Sequence, residues 1–180
     1  MMRRARTITR RVCGALLLVC ATVASGHDLP EALTRDLTGL SIHGETVMRF
    51  FGMKVYDVRL WTQKKPFSHA EPFAIELVYD MAIKGKDIAD RSVKEMRTQG
   101  AGNESKLRRW GAEMAKIFPD IKNGDTLIGV SVPGKEARFY NHEKLIATIP
   151  DPEFAKAFFD IWLSEKTSVP ALRQKLLGEP

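Results

Sequence analysis

Met48-Arg-Phe-Phe-Gly-Met-Lys-Val-Tyr-Asp-Val-Arg-Leu-Trp61 packs β-branched, aromatic and methionine side chains on either side of one glycine. Such composition reads as two strands, near 46–51 and 53–61. Gly52 between them is either a tight turn or a bulge, and the residues alone allow both. Either way the stretch opens a sheet. Thr62 to Pro72 then reads as a loop with two prolines and Lys64-Lys65, and Phe73-Ala-Ile-Glu-Leu-Val-Tyr79 resumes strand character. At least three strands therefore precede any helix.

Downstream the hydrophobic period changes. Lys86 to Gln99 places Ile88, Ala89, Val93 and Met96 on one side of a charged segment, as an amphipathic helix does, and Gly100-Ala-Gly102 ends it. Glu104 to Ile117 aligns Leu107, Trp110, Met114 and Ile117, and Phe118-Pro119 closes this second helix. Arg108 and Arg109 form either a phosphate site or a charged outer face, the blander reading being the expected one. Asp125 to Val132 and Ala137 to Tyr140 flank the turn Pro133-Gly-Lys-Glu136, and Leu145 to Ile149 adds a third strand to this antiparallel meander. Asp151 as N-cap and Pro152 at the first helical position start a helix bearing Phe154, Ala157, Phe158, Ile161 and Trp162 on one stripe. Ser168 and Pro170 start a last short one. Strands, two helices, strands, two helices: this order predicts an α+β fold on a mainly antiparallel sheet.

The 180 residues carry 28 Lys+Arg against 22 Asp+Glu, a formal net charge of +6. Five arginines (Arg3, Arg4, Arg6, Arg10, Arg11) and no acid precede residue 27, so the excess is local. An apolar run from Val12 to Val23 and the small residues Ala24-Ser-Gly26 follow. This is the pattern of a secretory signal peptide over 1–26, too short for a comfortable membrane span. An uncleaved anchor, a twin-arginine signal and a lipoprotein cysteine at Cys20 are weaker readings of it. Residues 27–36 read as a polar tether and 37–180 as one domain. Without the leader, 23 basic residues face 22 acidic ones. Nucleic acid is therefore not an expected partner. Cys13 and Cys20 both fall in the leader, which leaves the remaining chain without a disulfide or a thiol nucleophile. The expected location is the periplasm or the exterior, with no membrane span once the leader is removed.

No P-loop, dinucleotide-binding glycine fingerprint, HExxH or GxSxG motif is present in the sequence. His27, His43, His69 and His142 are isolated, so neither a metal nor another cofactor is expected. The candidate chemistry lies in the opening stretch. Arg49, Arg59 or Tyr56 inside an apolar strand can bind an anionic or carbonyl group. The bland reading points Arg49 and Arg59 to solvent and buries Tyr56 with its hydroxyl satisfied.

Phe51-Gly-Met-Lys-Val-Tyr-Asp-Val-Arg-Leu-Trp61, Ile117-Phe-Pro-Asp-Ile-Lys-Asn-Gly-Asp125, the strand into Val132-Pro-Gly-Lys135, and Ile149-Pro-Asp-Pro-Glu-Phe-Ala155 through Asp160-Ile-Trp-Leu163 together resemble the chalcone isomerase-like family, specifically its bacterial exported members. The resemblance runs from about Leu37 to Gly178. It implies an open-faced β-sandwich, a large antiparallel sheet covered by helices, with a cleft between. It also implies one of two activities: intramolecular ring closure of enones, or non-catalytic binding of fatty acids whose carboxylate an arginine and a tyrosine hold.

Aligned on the motif, Tyr56 takes the hydroxyl position, while Gly44 stands where the family has its arginine. The tyrosine of the plant enzymes' helix has no match between Thr98 and Asn103. Arg49 is the nearest substitute, but in an unbroken strand it faces away from Tyr56 unless a bulge at Gly52 flips the parity. The expected function is binding of a small amphipathic ligand, such as a fatty acid, by Tyr56, Arg49, Met48, Phe50 and Val58. The alternatives are an intramolecular lyase or isomerase using Tyr56 and Arg49, and a structural envelope protein.

Overall fold

The computed structural model describes residues 33–34, 37–142 and 144–179. The expected leader lies outside the described residues, as does most of the expected tether. Six strands run β1 (Ser41–Phe50), β2 (Met53–Thr62), β3 (Phe73–Tyr79), β4 (Thr126–Val132), β5 (Glu136–Asn141) and β6 (Lys144–Ile149). They form one sheet in chain order, every neighbouring pair antiparallel. Helices α1 (Gly85–Thr98) and α2 (Glu104–Ile117) are inserted between β3 and β4, and α3 (Pro152–Leu163) and α4 (Pro170–Leu177) follow β6. This is the α+β arrangement expected from the order of elements. The first strand begins several residues earlier than its composition suggested.

Alternation sorts the sheet into two faces. Val58, Leu60, Ile75, Leu77, Phe139 and Ile149 point toward the helices and share one core with Met96, Trp110, Phe154 and Leu176. α3 is apolar nearly all round because it lies between sheet and helices. Its Phe158 contacts Phe139 at 4.9 Å and Trp162 at 5.5 Å between ring centroids. Asp151 caps the helix, its Oδ1 accepting from the N–H groups of Glu153 and Phe154 at 3.0 Å each. Its Oδ2 accepts from Trp110 Nε1 and from Arg109, both at 3.0 Å. Arg109 thus takes a structural role on the outer surface.

The opposite face carries a smaller cluster that includes Trp61, Ala74, Ile128 and Tyr140. Leu33, within the segment expected to be a polar tether, is fully buried in that cluster. Arg59 also departs from expectation. Instead of facing solvent it is buried in a cross-strand row, 3.3 Å from Glu45 and 3.2 Å from Glu76, whose carboxylate also accepts from Trp61 Nε1 at 3.1 Å. An arginine among apolar neighbours is retained when two carboxylates meet it.

The opening hairpin resolves the choice at Gly52. Phe50 pairs with Met53, leaving Phe51-Gly52 as a two-residue turn with φ of +48° and +81°. Two positive φ values are what a type I′ hairpin requires. Phenylalanine in the first position costs about 1–2 kcal/mol of conformational energy that asparagine or glycine would avoid. The bulge lies further along: Met48 pairs with Tyr56 but Arg49 with Lys54, so Val55 is the extra residue.

A second irregularity, between Ile42 and Gly44, receives α4. A side-chain carbon on Gly44 would lie 2.3 Å from the Leu176 carbonyl oxygen and 2.4 Å from that of Lys175. The neighbouring His43 is buried, its Nδ1 3.1 Å from Thr62 Oγ1 and its Nε2 3.3 Å from the Leu177 carbonyl. Glycine and histidine together let the helix backbone settle directly on β1.

Candidate functional site

A cleft of about 480 Å³ opens between the helix-facing side of β1 to β4 and helices α1 and α3. Its sheet wall is built by the bulge. Because Val55 is inserted, Tyr56 comes onto the face of Met48 and Phe50, and all four line the cleft with Leu77, Tyr79 and Leu127. α1 contributes Ile88, Arg91, Ser92 and Glu95, while α3 contributes Phe158, Ile161 and Trp162. The rim is Met81 to Lys84. This loop is pinned because Ile83 and Ile121 exchange backbone hydrogen bonds of 3.0 and 2.8 Å and Gly85 N–H donates to Asp120 Oδ1 at 2.9 Å.

The polar groups are few. Trp162 Nε1 donates to the Tyr56 hydroxyl at 3.1 Å. Burial pushes the Tyr56 phenol up to about 12 despite that bond. Tyr79 sits directly across from Tyr56 in the strand register, ring centroids 5.5 Å apart. It is 3% exposed, and its hydroxyl makes no hydrogen bond among the described residues. Burial pushes this phenol up as well, and the neighbouring Tyr56 adds to the effect. Both groups are therefore neutral donors at ordinary pH, not phenolate bases. Arg91 stands beside them, 2.6 Å from Glu95 and with its guanidinium carbon 5.7 Å from the centre of the Phe50 ring.

Set against the residues expected from sequence, Met48, Phe50 and Tyr56 line the cleft together. Val58 does not: it is fully buried in the main core two residues beyond Tyr56. Arg49 does not either. Because the bulge falls at Val55, not at Gly52, Arg49 stays on the outer side, exposed, and donates to the Gly52 carbonyl at 3.3 Å. The cleft's arginine is Arg91, supplied by a helix.

Tyr79, Arg91, Ser92 and Glu95 were missed, although all but Arg91 left a signal. Tyr79 ends the inward parity of Phe73, Ile75 and Leu77. Ser92 and Glu95 fall four and seven residues after Ile88, on the stripe that should face the core, so polar residues there mark a wall that is not simply packed. Among the described residues no three His, Cys, Asp or Glu side chains are grouped to hold a metal ion.

No curated protein sequence matches the chain. Among solved structures, the crystal structure of a fatty-acid binding protein from Arabidopsis thaliana is similar, with a TM-score of 0.60 and 9% identity over 78% of this chain and 88% of that one. At that identity the likeness concerns the fold. The model of the chalcone isomerase-like family matches residues 21–178, nearly the whole length, and on that match the chain belongs to the chalcone isomerase-like family.

Proposed function

We propose that this is an exported, non-catalytic member of the bacterial branch of its family, resident in the periplasm or outside the cell, that holds a small amphipathic molecule such as a fatty acid. The observation that carries the reading is the cleft itself: an apolar volume of about 480 Å³, within the range of ~300–1,000 Å³ typical of small-molecule sites, with a few polar groups gathered at Tyr56, Tyr79 and Arg91. The apolar walls suit a hydrocarbon body. The two phenols suit a polar end, and Arg91 has N–H donors to spare beyond its contact with Glu95, since a guanidinium carries five. The likeness to a plant fatty-acid binding protein supports the same class of ligand. The basic and then apolar opening of the chain supports export.

Displacement of a fluorescent fatty-acid analogue tests the reading. The wild type should bind one probe, and Leu77→Trp, which fills the cleft from its sheet wall, should bind none while keeping its melting temperature within a few degrees. A wild type that binds no probe of any chain length overturns it, as does a Leu77→Trp protein that binds as well as wild type.

The pair of neutral phenols carries a second reading. Two neighbouring donors can polarise a carbonyl, as an intramolecular lyase or isomerase acting on an enone requires. Turnover of an enone panel that disappears in Tyr56→Phe would establish it.

A further inference from the structure

The β1–β2 turn bears side chains that the fold does not use. Phe51 is 88% exposed and Met53 59% exposed, and Phe50, which lines the cleft, is still 46% exposed. Met81, which lines the cleft just after Asp80 reaches Lys54, is 37% exposed. Scattered apolar residues on a surface are ordinary, but four gathered around the mouth of an apolar cleft form a patch. Phe51 is the least expected of them. It occupies a left-handed position where asparagine or glycine is the favoured residue, so neither burial nor backbone preference accounts for it.

The tip's own charges are cations, although the exposed Asp87 also lines the cleft beyond Lys84. Residues 47–54 and 81–84 contain Arg49, Lys54 and Lys84 and no acid. Lys54 is held by Asp57 at 2.8 Å and Asp80 at 2.6 Å. Arg49 and Lys84 make no ion pair among the described residues, and both are exposed. A convex apolar tip flanked by unpaired cations matches the interface of an anionic bilayer, where aromatic rings settle at headgroup depth and cations meet lipid phosphates.

We infer that the β1–β2 turn, with Phe51 at its apex and Met81 to Lys84 beside it, docks the protein on anionic lipid surfaces with the cleft mouth facing the bilayer. Phe50 links the two environments, lining the cleft while its ring meets that of Phe51 at 4.4 Å between centroids. An amphipathic molecule leaving the bilayer would then enter the cleft without crossing bulk water. The docking goes beyond the binding reading and does not need the cleft to be filled, so the two can fail separately.

Co-sedimentation of the full chain with vesicles tests it, using phosphatidylcholine vesicles with and without phosphatidylglycerol. Wild type should bind the anionic vesicles and bind the neutral ones weakly. Phe51→Asn removes the apolar apex while giving the turn its preferred residue, so it should melt no lower than wild type yet lose about tenfold or more in vesicle affinity. The double variant Arg49→Gln and Lys84→Gln should lose about fivefold per cation on anionic vesicles only. Wild type that ignores anionic vesicles overturns the inference, and so does Phe51→Asn that binds them unchanged. A wild-type dimer in sedimentation that Phe51→Asn abolishes, with no vesicle binding, would assign the tip to a second copy of the chain and overturn it equally.

Discussion

The indole nitrogen of Trp162 donates to the hydroxyl oxygen of Tyr56 at 3.1 Å, joining α3 to β2 along the wall of the cleft. Because the indole takes one of the oxygen's lone pairs, the phenol's own proton remains to donate elsewhere. Tyr79, opposite it in the register, has its proton equally uncommitted among the described residues. The cleft thus presents two neutral donors side by side in an apolar wall.

The first consequence concerns Tyr56→Phe. It leaves the Trp162 N–H without its acceptor, a loss of about 1–2 kcal/mol in stability, and removes one donor to the ligand. Affinity for a bound amphiphile should fall by about two- to tenfold, as isothermal titration would record. Unchanged affinity would place the ligand's polar end away from Tyr56.

Alkaline titration follows from the same burial. The folded chain holds the Tyr56 and Tyr79 protons above the ordinary tyrosine value, whereas the unfolded chain releases them near pH 10. Both contributions are complete below about pH 10; that of Tyr56 is lost as pH rises through about 12, and that of Tyr79, held higher by its burial, persists further. Phenolate absorbance of the native protein should therefore report no more than one of the three tyrosines near pH 10. Two ionising there would contradict the burial of the pair.

Restoring the family's arginine gives a third expectation. At position 44 the first side-chain carbon already meets the backbone of α4 at 2.3 Å, and backbone does not yield as a side-chain tip would. Gly44→Arg should lose about 3 kcal/mol or more, the upper end of overpacking effects, measured by chemical denaturation, with no gain in ligand affinity. A stable variant that binds more tightly would show that α4 can lift away.

Asp151 governs the acid limb. Burial acts to raise its carboxyl, but the Phe154 N–H, the Trp110 indole and the Glu153 N–H outweigh it and hold the group below the usual carboxylate range. A depressed value contributes stability that is present above the unfolded value, near 3.8, and fades as pH falls through the folded one. Asp151→Ala should lose about 1–2 kcal/mol at neutral pH through the cap alone. Its deficit relative to wild type should shrink as pH drops below about 3.8 in denaturation curves; a deficit that is constant with pH would contradict this role.

Much of the fold was legible because its signals are local. Asp151-Pro152 announces α3, the period of 104–117 gives α2, and Pro133-Gly134 marks a hairpin. The site was half legible for the opposite reason. Whether Tyr56 shares a face with Met48 depends on one inserted residue, Val55, whose composition is ordinary for any strand. The same insertion keeps Arg49 outside, a consequence of pairing that no single strand displays. Arg59 was misread because its two carboxylate partners lie on different strands. Gly44 shows the reverse case: the departure from the family pattern was visible, but its cause is the backbone of α4, more than 130 residues away along the chain.

We expect the cleft to carry a small amphipathic molecule. The most direct measurement is to purify the protein from its native compartment, denature it, and analyse the extract by mass spectrometry. One amphiphile per chain in the wild type, and none in Leu77→Trp, is the result expected. An extract with no stoichiometric small molecule, from a protein that also remains empty after incubation with fatty acids, would contradict it.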